Sequence, residues 1–177
     1  MQRVLLHICC GICASSVVLR LREEGFEPTG FFYNPNIHPQ EEYFKRIEVA
    51  RQAASLLGFD LILGIYDKDN WLEKTVQFKK EPEGGERCAL CFKIRLERAN
   101  IKAQELGIDY FTTTLSVSSH KNSKLINEIA CALNPAAFLK RDFKKHNGFK
   151  LAMGFSRRYN LYRQNYCGCI YSRNSKI

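Results

Sequence analysis

The fold is set by residues 5–13, which read Leu5-Leu6-His7-Ile8-Cys9-Cys10-Gly11-Ile12-Cys13. An apolar run ends abruptly in a cysteine-rich turn, and the small residues Ala14-Ser15-Ser16 then open an amphipathic stretch. This order predicts a buried strand, a tight loop and the start of a helix. Thiols stand in the loop where a nucleotide-binding protein places glycines. We therefore expect the functional site to be built around this loop.

Strand-like and helix-like segments alternate along the rest of the chain. The predicted strands are residues 3–8, 28–33, 60–65, 110–115 and 136–139. The predicted helices are residues 14–24, 40–57, 67–80, 89–106, 122–133 and 149–158. Such alternation is typical of βαβ units around a parallel sheet. The sequence therefore predicts one α/β domain over residues 1–177, with a parallel sheet of about five strands and helices on both faces.

The loops that follow the predicted strands carry most of the reactive side chains. Cys9 and Cys10 follow the first strand, residues 34–38 follow the second, and residues 116–120 follow the fourth. In open α/β sheets, ligands bind beyond the carboxyl ends of the strands, where the strand order reverses. We expect these loops to share one rim of the sheet.

The cysteines point to metal or redox chemistry. No apolar run approaches the roughly 20 residues that span a bilayer, and residues 1–3 lead straight into a strand, unlike a signal peptide. We therefore expect a cytoplasmic protein, and in a reducing compartment its eight cysteines are not expected to form structural disulfides. Cys131 stands alone in a helical pattern, where a small buried hydrophobic residue is expected.

Two kinds of metal centre match the cysteine spacing. The pairs Cys10/Cys13 and Cys88/Cys91 have the C-x-x-C spacing of a structural zinc site, but zinc there leaves three cysteines unused. A [4Fe–4S] cluster accounts for more of them, because each thiolate binds a different iron. The adjacent Cys9 and Cys10 suit two corners of such a cluster, and Cys88 and Cys91 supply the other two.

Cys167-Gly168-Cys169 forms a separate pair. The two thiols could form a strained, easily reduced disulfide. Equally, they could hold a second metal beside the cluster, with Cys13 as a third ligand. Both arrangements would help the site to deliver two electrons, and the sequence does not choose between them.

The positive charge lies at the end of the chain. Residues 1–139 contain 17 Lys/Arg and 17 Asp/Glu, whereas residues 140–177 contain 10 Lys/Arg and one acid, Asp142. Phenylalanines and tyrosines are interleaved with these cations. A solvated basic tail would show the charge alone, while phosphate contact combined with base stacking requires both residue types. This pattern favours a nucleic-acid partner, and the absence of a glycine-rich phosphate loop leaves NAD and ATP without support.

Several titratable residues have two possible roles. Asp142 could form a local ion pair with Arg141 or Lys144, or act as a proton donor or metal ligand. His7 lies in the first strand and could be a hydrogen-bonded core residue or a functional one. His38 and His120 lie in rim loops, where each could donate a proton or contact phosphate.

Four motifs, taken together, resemble one family, the cobalamin-independent epoxyqueuosine reductases of the QueH type. They are His7-Ile8-Cys9-Cys10-x-x-Cys13, Tyr33-Asn34-Pro35-Asn36-Ile37-His38-Pro39, Glu86-Arg87-Cys88-x-x-Cys91 and Tyr162-Arg163-Gln164-x-Tyr166-Cys167-Gly168-Cys169. The resemblance extends from about residue 4 to residue 170. One departure is Gly11-Ile12, where the family often has Ala-Pro. This changes the stiffness of the loop and leaves the cysteines in place.

The resemblance implies the last step of queuosine synthesis, carried out on the anticodon loop of tRNA. An epoxide on the cyclopentane ring is reduced to an alkene, and its oxygen is lost as water. This consumes two electrons, from a donor that the sequence does not identify, and two protons. A Rossmann-like sheet of the HUP type is implied as well.

The resemblance also implies roles for individual residues. Cys9, Cys10, Cys88 and Cys91 would hold the [4Fe–4S] cluster. Cys167 and Cys169 would be a redox pair or ligands of a second, mononuclear iron. The basic aromatic segment, residues 140–177, would pack on the site, and Tyr162 and Tyr166 would line the path of a base that leaves the stack.

Two other functions fit parts of the pattern. A thiol or heterodisulfide reductase acting on a small molecule would have a similar Cys-Cys motif, but it would not need the basic aromatic segment. A zinc-stabilised RNA-binding module would need that segment, but it would have no use for Cys167 and Cys169.

Overall fold

A four-stranded parallel sheet lies at the centre of the protein, whose computed structural model describes residues 1–172. Its strands are β1 (Gln2–His7), β2 (Phe26–Phe32), β3 (Leu61–Leu63) and β4 (Tyr110–Thr113). They lie in the order β3-β2-β1-β4, and every neighbouring pair is parallel. The apolar residues of β1 are fully buried because both faces of the sheet are covered.

Within residues 1–172, six α-helices surround the sheet. They are α1 (Gly11–Glu23), α2 (Gln40–Leu57), α3 (Lys68–Thr75), α4 (Glu86–Glu105), α5 (Ser123–Leu133) and α6 (Gly148–Arg158). Helix α1 packs against α2 and α6, whereas α4 packs against β1, β4, α3 and α5. The predicted α/β fold, with a parallel sheet and helices on both faces, is therefore confirmed.

The predicted fifth strand, residues 136–139, is wrong. This segment makes one isolated bridge, between Phe138 and Phe111 of β4. Asn134 bends the chain just before it, since its side-chain oxygen accepts from the backbone N–H of Ala137 and its carbonyl accepts from that of Phe138. The chain therefore runs beside β4 too briefly to form a ladder, and the described sheet has four strands.

Helix α1 begins three residues earlier than predicted, directly after Cys10. Its first residue, Gly11, lies against the backbone of α2. A Cβ atom at this position would stand 2.7 Å from the carbonyl group of Val49 and from the nitrogen of Ala50. The missing side chain therefore lets the two helices approach closely. Because α1 begins at Gly11, Cys13 lies in its first turn.

Helix α4 also begins earlier than predicted, at Glu86. Cys88 and Cys91 therefore lie on the helix itself, where a spacing of three residues puts them on the same face. The preceding loop is held by Arg87, whose guanidinium donates to the backbone carbonyls of Phe78 and Glu81.

The carboxyl ends of β1, β2 and β4 meet at one rim. Because β1 lies between β2 and β4, the loops after these strands come together where the strand order reverses. Cys9 and Cys10, residues 34–38 and residues 116–120 all lie there, as the sequence predicted. Strand β4 ends at Thr113, earlier than predicted, and a short 3-10 turn over Thr114–Val117 leads into the last of these loops. Within residues 1–172, no helix has the length and apolar character needed to cross a bilayer.

Candidate active site

Two adjoining cavities at the rim are lined by seven of the eight cysteines. The larger has a volume of about 350 Å³ and is bordered by Cys9, Cys10 and Cys13. The smaller, of about 50 Å³, is bordered by Cys88, Cys91 and Cys169. Four residues line both cavities, namely Glu83, His120, Lys121 and Cys167. The structure thus brings all three predicted cysteine clusters to one place, and all eight cysteines are free thiols.

The Cys9–Cys10 loop is tied to the residue that follows β4. Thr114 Oγ1 accepts a 3.0 Å hydrogen bond from the backbone N–H of Cys9 and lies 3.3 Å from its sulfur, to which it donates. The Cys13 thiol donates to the Cys10 sulfur, which lowers the pKa of Cys10 to about 6 and raises the pKa of Cys13. Nearby Lys121 also favours the Cys10 thiolate.

His7 is a core residue beneath the thiol loop. Its ring is fully buried, with Nδ1 2.9 Å from Thr113 Oγ1 and Nε2 3.0 Å from the carbonyl oxygen of Tyr33. Burial lowers the pKa of His7 to about 3, so the ring is neutral at physiological pH. Of its two predicted roles, the contacts match that of a hydrogen-bonded core residue.

Cys88 and Cys91 face the smaller cavity from the first turns of α4. The backbone N–H of Gly84 donates to Cys88 Sγ at 3.2 Å, and Arg95 Nη1 lies 4.0 Å from Cys91 Sγ. Arg95 is itself held by a 2.6 Å hydrogen bond to Asn34 Oδ1 in the loop after β2. Burial raises the pKa of both thiols.

The Cys167–Cys169 segment is anchored from α2. Arg46 donates from Nη1 to the carbonyl oxygen of Cys167 and from Nη2 to that of Tyr166, at 3.1 and 3.0 Å. Gly168 has a φ of 99°, and a Cβ there would stand 2.9 Å from Ile37 and 3.0 Å from Arg46. Only glycine fits this turn without strain.

The two thiols of this segment have opposite pKa shifts. A hydrogen bond from Cys169 stabilises the Cys167 thiolate and lowers the pKa of Cys167 to about 5, whereas the pKa of Cys169 is raised. The backbone N–H of Cys169 adds a 3.4 Å hydrogen bond to the Cys167 sulfur. Cys167 is therefore the more nucleophilic thiol of the pair.

The tyrosines expected to line the path of a base have other partners. Tyr162 donates its hydroxyl to Glu42 Oε2 at 2.7 Å, and Glu42 in turn pairs with Arg46 at 2.7 Å. The Tyr166 ring lies under the Arg46 guanidinium, and its hydroxyl donates to the carbonyl of His38. Tyr166 lines the larger cavity, and Tyr162 lines neither.

Glu83 and Lys121 were not predicted from the sequence, although both line the two cavities. Burial, with Cys167 nearby, raises the pKa of Glu83. Within residues 1–172, Lys121 has no carboxylate oxygen within 4 Å. Glu83 could have been predicted as a site residue because it lies in the Gly-containing loop just before Cys88. Lys121 could have been predicted because it follows His120, which was placed at the rim.

Asp142 lies outside both cavity linings. Its carboxylate accepts hydrogen bonds from Ser123 Oγ and from the backbone N–H of Lys144, with the Lys144 ammonium 3.9 Å away. The ion pair with Lys144 is thus present, and the proton-donor role stays a prediction. His38 is buried in its loop, and Cys131 is half-buried against the core.

The thiols have the chemistry of cluster ligands. Within the described part of the chain, no three Cys, His, Asp or Glu side chains are already grouped as a metal site. The donors fit an iron–sulfur centre nonetheless, because Cys9, Cys88, Cys91 and Cys167 each accept a hydrogen bond at sulfur. Such bonds, with the nearby cations Lys121 and Arg95, stabilise anionic thiolate ligands.

Comparisons with known proteins give the family. The model of the family described as "Epoxyqueuosine reductase QueH" matches residues 4–175. Proteins of that name from Streptococcus pyogenes serotype M1 and Acinetobacter baylyi are 36% and 38% identical to this chain. The alignments cover 96% and 97% of this chain and 69% and 80% of those relatives. The protein of that name from Thermotoga maritima is 33% identical, with 97% of this chain and 91% of the relative covered.

A solved structure shares the fold. It is described as a predicted subunit of tRNA methyltransferase from Methanocaldococcus jannaschii, with a TM-score of 0.60 and 17% identity. The match covers 89% of this chain and 75% of that one. At this identity it supports the α/β architecture alone. The family match over nearly the whole chain decides the identity, and this protein belongs to the QueH family of epoxyqueuosine reductases.

Proposed function

We propose that this chain reduces the epoxide of epoxyqueuosine in a tRNA anticodon loop to the alkene of queuosine, in the cytoplasm. The observation that carries the proposal is the convergence of seven thiols on two adjoining cavities, in a member of this family. The net reaction adds two electrons and two protons to the epoxide, breaks both C–O bonds and releases the oxygen as water.

Cys9, Cys10, Cys88 and Cys91 are the proposed ligands of a [4Fe–4S] cluster. Cys167 and Cys169 either act as a dithiol or hold a mononuclear iron, with Cys13 as a further ligand. When bound, the cluster supplies single electrons and the second iron supplies a Lewis acid for the epoxide oxygen. An electron donor outside this chain must reduce the centre again. The hydrogen bonds at four of these sulfurs support this assignment.

The protons come from groups between the two cavities. Glu83, His120 and Lys121 line both of them and carry exchangeable protons close to the thiols. Lys121 also favours negative charge on Cys10 and Cys167. These side chains can protonate the departing oxygen and stabilise its charge.

The basic residues of the C-terminal segment are the proposed contacts for tRNA phosphates. Within residues 140–172, the exposed cations are Lys140, Lys145, Lys150, Arg157, Arg158 and Arg163. Among residues 1–172, none of them has a carboxylate within 4 Å. Arg163 also lines the larger cavity. Cations without a carboxylate partner can bind the RNA backbone while the modified base leaves its stack and enters the cavity.

The test is to purify the protein without oxygen and to measure iron, acid-labile sulfide and zinc per chain. About four irons and four sulfides are expected, together with reduction of epoxyqueuosine in tRNA when a chemical reductant is supplied. More than four iron atoms per chain would show that Cys167 and Cys169 hold a second metal. Only four iron atoms per chain would show that they act as a dithiol.

Three serine variants assign the cysteines. Cys88→Ser should lose iron and activity together, and Cys167→Ser should keep four irons but lose activity. The matched control, Cys131→Ser, should keep both. Zinc without sulfide would instead support an RNA-binding module. Activity that survives neutralisation of Lys144, Lys145, Arg157 and Arg158 would support a reductase of small molecules.

A further inference from the structure

The larger cavity has one wall that the proposed chemistry leaves without a role. This wall consists of Phe149 and Met153 of α6, which line the cavity together with the thiol residues. These residues are four apart and therefore lie on the same side of the helix. They give the cavity an apolar surface beside its polar and thiol groups.

Phe149 is held in place by the packing of α6. Gly148 and Ala152, one residue before Phe149 and Met153, are buried in the row that faces α1. A Cβ at Gly148 would stand 1.8 Å from the carbonyl oxygen of Phe143, so this position can only be glycine. Phe149 and Met153 therefore border the same helix α1 that begins with the thiol loop.

Among the aromatic residues between 140 and 172, Phe149 is the one ring with no other ring or cation stacked on it. Tyr162 and Tyr166 contact Glu42, Arg46 and His38, as described above. The ring of Tyr159 packs on Phe155 and under Arg158. Within residues 1–172, no aromatic ring or cation is stacked on Phe149, whose surface is 41% exposed.

We propose that Phe149 is the stacking platform for the modified nucleobase, with Met153 completing the apolar wall. This inference rests on the proposed function. A base that leaves its stack requires a flat apolar surface to replace its lost neighbours. The cavity, at about 350 Å³, falls within the range of roughly 300–1,000 Å³ that is usual for small-molecule pockets. A base resting on Phe149 would bring its substituent into the cavity that Cys9, Cys10 and Cys13 line.

The test compares removal of the ring with removal of the base. The iron-loaded parent protein and Phe149→Ala are titrated with epoxyqueuosine-containing tRNA and with the same tRNA made abasic at that position. The parent should bind the abasic tRNA about tenfold more weakly. Phe149→Ala should bind the modified tRNA about tenfold more weakly than the parent does, and it should lose nothing further with abasic tRNA.

Two variants separate stacking from loss of structure. Phe149→Trp should keep the affinity for modified tRNA, since indole also stacks. Leu151→Ala removes a side chain that is 55% exposed on the same helix and lines neither cavity, so it should leave both affinities unchanged. The iron content should be the same in all variants.

Two results would overturn the role of Phe149. One is that Phe149→Ala loses the same affinity, relative to the parent, for modified and for abasic tRNA, and the other is that it loses no affinity at all. Turnover of epoxyqueuosine by the parent protein, measured in the same samples, tests the proposed function separately. Turnover by the parent together with unchanged binding by Phe149→Ala would thus reject the platform and leave the function standing. No turnover by the parent would reject the function.

Discussion

Arg46 Nη1 donates a 3.1 Å hydrogen bond to the carbonyl oxygen of Cys167, which lies 121 residues further along the chain. The Arg46 side chain is only 3% exposed and pairs with Glu42 one helical turn earlier. Arg46 thus holds the backbone of the thiol pair from α2, together with the backbone N–H of His38, which donates to the carbonyl oxygen of Gly168 at 2.8 Å. Arg46 is a positioning residue, because it reaches the backbone and not the sulfurs.

Replacement of Arg46 by lysine should separate positioning from charge. A lysine ammonium cannot span Glu42 and two carbonyl groups at once, so Arg46→Lys should lower kcat at least tenfold while the iron content per chain stays that of the parent. Steady-state kinetics and iron analysis check this. Arg51→Lys, on the exposed face of the same helix, is the control. Unchanged kcat in Arg46→Lys would contradict the role.

Gly11→Ala should destabilise the protein by about 1–3 kcal/mol, because the added methyl group overpacks α1 against the backbone of α2. Gly154→Ala is the matched comparison, since a Cβ there meets no atom within 4 Å. That variant should stabilise α6 by about 0.5–1 kcal/mol. Urea unfolding of both variants measures the contrast, and equal effects would show that α2 moves aside freely.

His38 should make the protein sensitive to mild acid. Burial lowers the pKa of His38 below the unfolded value of 6.5, so the unfolded chain binds a proton that the folded chain does not. Stability is therefore fully present above pH 6.5 and falls as the pH drops below it. The loss between pH 7.5 and pH 5.5 should be smaller in His38→Gln than in the parent.

Urea midpoints at the two pH values measure this effect. The comparison with the parent cancels the contribution of the thiols, which both proteins share. His146→Gln, which removes an exposed histidine, should behave like the parent. A His38→Gln variant with the same acid sensitivity as the parent would show that another group is responsible.

Removal of Lys145 and Lys150 should weaken binding of every tRNA alike. Each lysine that contacts a phosphate releases a counterion, so the double alanine variant should lower the slope of log K against log salt by about two. The double alanine variant of Arg3, near the start of β1, and Lys102, in the last turn of α4, should leave the slope unchanged. Fluorescence titrations at several salt concentrations give the slopes, and equal slopes for the two double variants would exclude Lys145 and Lys150 as phosphate contacts.

The strand and helix pattern could be predicted from the sequence because it is a local property. Helix α2 has the predicted bounds, Gln40–Leu57, since its apolar spacing and the glycine that follows it lie within the segment itself. The rim position of Cys9 and Cys10 follows from a buried strand that ends in a tight loop. The prediction of a fifth strand was wrong because pairing with β4 depends on how Asn134 turns the chain.

The sequence by itself determined the order of elements, through the apolar pattern within each segment. It also determined the family, because four motifs with fixed spacing carry the resemblance. Only the tertiary structure decided which side chains surround the thiols. The sequence predicts that Tyr162 lines the path of a base, whereas in the structure its hydroxyl contacts Glu42 of α2 and Phe149 lines the larger cavity. The physical reason is that hydrogen bonds such as that of Arg46 to Cys167 join distant segments, and no local pattern records them.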